Sequence, residues 1–278
     1  MMTDAYAKEL KSARRAAVKA GAFLRAAQHG ADVVKRPHGE GYLDVTTRED
    51  LQAERIILDR IQRAFPADRI LSEESHPDLV PTDGRLWVID PLDGTTNYVK
   101  GLPAYGVSIA LLVDGVVQMA VAYLPATREH YDAVRGQGVR LGGKPLTLAE
   151  PEERLAQSLV SVGFPHTRTK GTIDDAFTLY ASLLGASSDL RRSASAVVDA
   201  CWLAAGKTGA YITPDIKPWD IVTGVLFVEE QGGVASDFTG APLDVFKHDG
   251  DRFSVAVVFA KNVAIHREVV TLTQSHAS

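Results

Sequence analysis

The stretch Leu86-Trp-Val-Ile-Asp90-Pro91-Leu92-Asp93-Gly94-Thr95-Thr96-Asn97-Tyr98 constrains this chain more than any other. Leu86 to Ile89 is a short apolar run of the kind that forms a buried strand. Pro91, with no N–H to give to a ladder, is expected to force a turn just after Asp90. Asp93-Gly94-Thr95-Thr96 has the composition of a turn opening into a helix, with Gly94 free to take a backbone other residues resist. A strand-to-turn bend lets two carboxylates three residues apart converge on one point. Left alone they repel, and one holds a proton. A hard divalent cation such as Mg²⁺ removes that penalty, because it takes oxygen ligands from a few carboxylates, water and phosphate. The N–H groups of Gly94, Thr95 and Thr96 would then face an anion beside the metal. The same spacing also suits an ordinary acidic turn, and the pattern alone leaves both readings open.

At 278 residues with 45% apolar content, the chain can bury a large α/β core as one unit or two packed halves. A net charge of −5 and the lack of any Lys/Arg run longer than two argue against a nucleic-acid partner. Cys201 stands alone, which excludes an intramolecular disulfide and fits a reducing cytoplasm. The first thirty residues carry charges throughout, unlike a signal peptide. The most apolar long stretch, Val107 to Leu124, is broken by Asp114-Gly115 and Gln118, so no membrane span is expected.

Helical spacing of Tyr6, Leu10, Ala13, Ala17 and Leu24 predicts a helix over 4–28, with Thr3 as its cap. A second helix is expected after Thr47, with Asp50 three positions on and Pro66 as the stop. Ile70-Leu71 reads as a short strand running into Ser72-Glu73-Glu74. Residues 105–113 and 116–124 read as a hairpin turning at Asp114-Gly115. The best internal boundary is Glu150-Pro151. Beyond it strands (158–162, 189–191, 209–213, 253–259) alternate with helices (173–185, 195–205, 219–231, 263–273), with Gly206 and Gly232-Gly233 where helices should stop.

Glu73 closes a strand that should lie beside residues 86–89, so it could reach the same metal; taken alone, a solvated Glu73-Glu74 surface pair is the plainer reading. Asp50 has a sufficient role as a helix-start residue. Asp220 opens an apolar helix behind Trp219, an odd residue for an exposed helix start and therefore a sign of a packed site. The eight histidines show no ligand spacing, and no Gly-x-Ser-x-Gly elbow or phosphate-binding glycine loop occurs. What remains is carboxylates, hydroxyls and backbone amides, the kit of metal-assisted phosphate-ester hydrolysis.

Three of these segments, Ser72-Glu73-Glu74-Ser75, Asp90-Pro-Leu-Asp93-Gly94-Thr95 and Pro218-Trp219-Asp220 with its downstream Glu-Glu-Gln-Gly-Gly233, occur in the order that resembles the inositol monophosphatase family. Asp44-Val-Thr46 with Asp50 adds a fourth. The resemblance implies a five-layered α/β/α/β/α sandwich. Its α+β N-terminal half (1–149) would hold an antiparallel sheet and most metal ligands. Its α/β C-terminal half (150–278) would hold the substrate pocket. It also implies a lithium-sensitive, Mg²⁺-dependent phosphomonoesterase, binding two or three Mg²⁺ per site and forming a homodimer, with hairpin 105–124 as a candidate dimer surface. Carried over, Glu73, Asp90, the Leu92 carbonyl, Asp93 and Asp220 would be metal ligands. Thr95 with Asp50 would deprotonate water, and the amides of Gly94 and Thr95 would hold phosphate. Ala194, Ser195, Ala196, Thr213 and Asp220 would meet the substrate. Two departures concern specificity: Ala194 replaces the family's usual Gly, and Thr213 replaces a carboxylate that would accept hydrogen bonds from ring hydroxyls. Inositol 1-phosphate leads as substrate, with histidinol phosphate and fructose 1,6-bisphosphate behind. An interaction protein on a phosphatase scaffold is the alternative of another class.

Overall fold

The computed structural model describes residues 5–35, 45–75, 83–148, 154–165, 169–250 and 252–276. They fall into two compact units, Met1–Pro145 and Leu146–Ser278. The expected Thr3 cap and the Glu150-Pro151 boundary lie outside the described residues.

In chain order the first unit holds α1 (Ala7–Ala27), β1 (Val33–Lys35), β2 (Val45–Thr47), α2 (Arg48–Ala64), β3 (Arg69–Ser72), β4 (Arg85–Asp93), α3 (Thr95–Val99), β5 (Gly106–Val113), β6 (Val116–Leu124), β7 (Glu129–Val134), β8 (Val139–Leu141) and β9 (Lys144–Pro145). Strands β3 to β9 form one seven-stranded sheet in sequence order, antiparallel except for the parallel β3–β4 pair. The predicted hairpin forms: Asp114 (φ 50°) and Gly115 (φ 78°) both take the left-handed backbone that matches strand twist. Odd-numbered residues of the central strands, among them Trp87, Ile89, Ile109, Leu111, Met119 and Val121, share a core with Ala13, Ala17, Ala20 and Leu24 of α1 and Ile57 and Ile61 of α2. The alanine face lets α1 approach β6 closely; a Cβ built on Gly21 would stand 2.3 Å from the Tyr123 ring. Even-numbered residues of the hairpin (Ala110, Leu112, Ala120, Ala122) are buried as well. The body of the hairpin is therefore buried on both faces, while Val116 at its tip is exposed.

Pro91 does not end its strand. β4 runs on to Asp93, and its register against β5 shifts from Asp90–Ser108 to Asp93–Gly106, three steps on one strand against two on the other. That is a bulge, the place in a ladder where a residue without an N–H is tolerated.

The second unit holds β10 (Leu159–Val162), α4 (Lys170–Ala186), β11 (Asp189–Arg191), α5 (Ala196–Ala204), β12 (Ala210–Ile216), α6 (Pro218–Glu230), β13 (Val234–Ser236), β14 (His248–Asp249), β15 (Arg252–Phe253), β16 (Val255–Ala260) and α7 (Val263–Ser275). A five-stranded sheet runs β11-β10-β12-β16-β13; β10 pairs parallel with β11 and β12, while β16 pairs antiparallel with both neighbours. Val160, Ile212 and Val258 pack with Leu179 and Leu183 of α4 and Ile265 and Val269 of α7. β12 outruns the predicted 209–213 because a register shift between Thr213 and Ile216 lets pairing resume at Ile216. β13 is an addition to the prediction, its three residues too few to show a period. Gly206 and Gly232 sit at helix ends with φ 69° and 78°, as expected. Among the described residues no helix is long and apolar enough to cross a membrane.

Candidate active site

In an unbroken strand, residues 90 and 93 would point to opposite faces, since side chains alternate with period two. The bulge adds the residue that restores one face to both. Carboxylate oxygens of Asp90 and Asp93 lie within 4.8 Å of each other, and both residues are buried. The Leu92 N–H donates to Asp90 Oδ1 (2.9 Å), which orients that carboxylate and turns the Leu92 carbonyl into the loop. Two buried carboxylates this close are unfavourable without a cation between them. The donor set, oxygens only with a backbone carbonyl beside them, fits a hard divalent ion.

Gly94 takes φ 86°, a left-handed backbone that steers the chain from β4 into α3. Thr95 follows as the first helical residue. Its hydroxyl lies 3.1 Å from Asp50 Oδ1 and 3.0 Å from the Leu92 carbonyl oxygen. Asp50 itself is fully buried at the third position of α2. Its Oδ2 accepts from the Thr47 N–H (2.8 Å) and the Thr47 hydroxyl, while its own N–H donates to Thr47 Oγ1 (3.2 Å). Asp50 is thus both the cap residue its position announced and the partner of Thr95. Burial pushes its pKa up from 3.8 to about 6, against the hydrogen bonds from Thr47 and Thr95 that favour the charged form.

Glu73 follows β3, and its N–H donates to the Ile89 carbonyl (3.3 Å), so its backbone stands beside the residue that precedes Asp90. The turn it occupies is held by a residue that sequence reasoning passed over. Glu54, buried on α2, accepts from the Ser72 hydroxyl and from the N–H groups of Glu74 (3.2 Å) and Ser75 (3.1 Å). A signal existed: residues 50, 54, 57 and 61 share one helix face, and an acid at 54 on an otherwise apolar face needs donors around it.

In the second unit, Asp220 occupies the third position of α6, where Oδ2 accepts weakly from the Lys217 N–H (3.4 Å). Trp219 is buried and meets Phe253 edge-to-face at 6.1 Å, which accounts for an aromatic at a helix start. Thr213 is buried on β12, its hydroxyl 3.4 Å from the Asp215 carbonyl. Ser195 caps α5 by accepting from the Val198 N–H (3.2 Å), and Ala196 begins that helix. Ala194 has φ 61°. That is a left-handed backbone, which suits glycine better than a residue with a Cβ.

A family model, the inositol monophosphatase family, matches residues 6–270. The Nus factor SuhB of Escherichia coli strain K12 is 38% identical over 232 residues, 83% of this chain and 85% of that protein. Thermotoga maritima IMPase superposes with a TM-score of 0.83 at 30% identity, covering 97% of this chain and 98% of that one. The inositol monophosphatase of Anabaena gives 0.81 at 32%, covering 97% and 96%. A relative named as a Nus factor does not support the expectation of a chain without a nucleic-acid connection, which is withdrawn; net charge averages over the whole chain and says nothing of local surfaces. The mixed α/β fold, the Asp90–Asp93 bulge and these likenesses agree: the chain belongs to the inositol monophosphatase family.

Proposed function

We propose that this chain is a Mg²⁺-dependent phosphomonoesterase acting on a small polyol or sugar phosphate, with inositol 1-phosphate the first choice. The observation that carries the proposal is the Thr95 hydroxyl held between Asp50 and the Leu92 carbonyl beside two converging carboxylates. Glu73, Asp90, the Leu92 carbonyl, Asp93 and Asp220 would hold two or three Mg²⁺, which supply a lowered pKa for bound water and neutralise charge on the leaving oxygen. Thr95 orients the attacking water, and Asp50 receives its proton through the Thr95 hydroxyl. A base pushed up to about 6 is well matched to that task near neutral pH. The N–H groups of Gly94 and Thr95 bind the phosphoryl oxygens. Ala194, Ser195, Ala196 and Thr213 line the specificity side, where Thr213 offers one hydroxyl in place of a carboxylate.

Phosphate release should be measured with Mg²⁺, with and without Li⁺, from myo-inositol 1-phosphate, histidinol phosphate, fructose 1,6-bisphosphate and adenosine 3′,5′-bisphosphate. One compound turned over at kcat/KM of at least ~10⁴ M⁻¹s⁻¹ names the substrate. Full Mg²⁺-dependent turnover by Asp93→Asn would overturn the ligand assignment. A second reading, a transcription-associated interaction protein on this scaffold, is favoured by the likeness to a Nus factor. It predicts no hydrolysis across the panel together with stoichiometric capture of components of the transcription machinery.

A further inference from the structure

Helices α1 and α2 carry ten basic and five acidic residues, a surplus of five positive charges in a chain whose total is −5. The remainder of the chain therefore stands at −10. Two of the five acids, Asp50 and Glu54, are buried and committed to the contacts described above. Between the two helices runs a groove of about 500 Å³ lined by Lys19, Arg55, Arg60 and Arg63. It is continued by a second hollow of about 260 Å³ that shares Ser12 and Arg60 and adds Lys8 and Lys11. Asp59 is the one acid on the lining, and it is paired with Arg63 at 3.4 Å. Among the described residues no carboxylate lies within ion-pair distance of Lys8, Lys11, Lys19, Arg55 or Arg60. Arg60 is fixed in place, its Nε donating to the Ser12 carbonyl at 3.1 Å. Ser12, 5% exposed, lines both hollows, and its buried hydroxyl has no hydrogen-bond partner among the described residues.

Unpaired cations facing one another across a cleft repel, and an anion lodged between them relieves that repulsion by neutralising the rims. The cations are spread along the cleft rather than gathered. Lys8 and Lys19 are eleven residues apart on α1, roughly 16 Å, and Arg55 and Arg63 eight apart on α2, roughly 12 Å. A single phosphate cannot span that row, whereas a short chain of phosphates can. The volume of the groove falls within the range of small-molecule sites. We infer that the α1–α2 groove binds a linear oligophosphate, free or as the tail of a nucleotide, at a site separate from the Asp90–Asp93 carboxylates.

The probe is sodium tripolyphosphate, titrated calorimetrically into the full chain in EDTA, so that no metal can draw it to the carboxylate site. One saturable site per chain is expected, weakening steeply between 50 and 200 mM salt as counterion release requires. Lys19→Glu combined with Arg55→Glu, both exposed, should weaken binding at least about tenfold and leave Mg²⁺-dependent phosphate release and thermal midpoint as they were. ATP binding with similar affinity identifies the nucleotide tail as an acceptable source. Four results overturn the inference: no saturable binding, a double variant that binds as the parent does, orthophosphate binding as tightly as tripolyphosphate, or binding of single-stranded RNA or an acidic peptide without tripolyphosphate. None of the results that overturn the inference depends on whether the carboxylate site is catalytic.

Discussion

The Thr95 hydroxyl lies 3.1 Å from Asp50 Oδ1 and 3.0 Å from the Leu92 carbonyl, yet it has one proton to donate. When Asp50 is ionised, Thr95 donates to it and the Leu92 carbonyl is released. When Asp50 is protonated, its O–H can donate to Thr95, and Thr95 donates to Leu92. Charge on Asp50 and the availability of the Leu92 carbonyl are therefore linked through one hydroxyl.

Asp50 should limit stability as well as drive turnover. Its folded pKa of about 6 lies above the unfolded value, so the associated stability is present below about pH 4 and lost as pH rises through 6. The loss amounts to roughly 3 kcal/mol at neutral pH, from 1.36 kcal/mol for each pH unit. In EDTA, Asp50→Asn should raise the thermal midpoint at pH 7.5 but not at pH 4; with Mg²⁺ present it should lower kcat about 10²- to 10⁴-fold. Parallel melting curves at the two pH values check the sign.

Glu54→Gln keeps one acceptor but loses the charge that gathers Ser72, Glu74 and Ser75. Supporting groups of this kind are worth about 10- to 100-fold in metal affinity. Titration with Mn²⁺ followed by electron paramagnetic resonance should show that weakening, with a smaller change in kcat at saturating Mg²⁺. Unchanged Mn²⁺ affinity would leave Glu54 a purely structural residue.

Ala194 holds φ 61° at a cost of roughly 1–2 kcal/mol. Ala194→Gly removes that strain and returns some freedom to the unfolded chain, about 0.4–1 kcal/mol. Chemical denaturation should find the variant more stable by roughly 0.5–1 kcal/mol.

Gly21→Ala tests the packing of α1 on β6. Its Cβ would meet Tyr123 at 2.3–2.6 Å and Pro125 at 3.0 Å. Displacing a buried ring outweighs the helix propensity gained, and a net loss of about 1–3 kcal/mol is expected in urea unfolding.

The sequence by itself determined most of the elements and the family. Periodicity placed α1 and α2, the Asp114-Gly115 pair dictated the hairpin, and the glycines at 206 and 232 ended their helices, because each depends on neighbours a few residues away. The acidic motifs identified the family from their order alone. Tertiary structure decided what each of those residues is aimed at. Pro91 reads locally as a stop, and only pairing with β5 turns it into a bulge that sets Asp90 and Asp93 on one face. Asp50 reads locally as a cap, and only the approach of α3 gives it Thr95. Glu54 has no local partner on its helix face, and only the turn after β3 supplies its donors. The basic groove was invisible in a net charge of −5, since charge sums along a chain while potential builds up across space. Sequence fixes local conformation through short-range sterics and hydrogen bonding; convergence of side chains distant in the chain is settled only when the sheet closes.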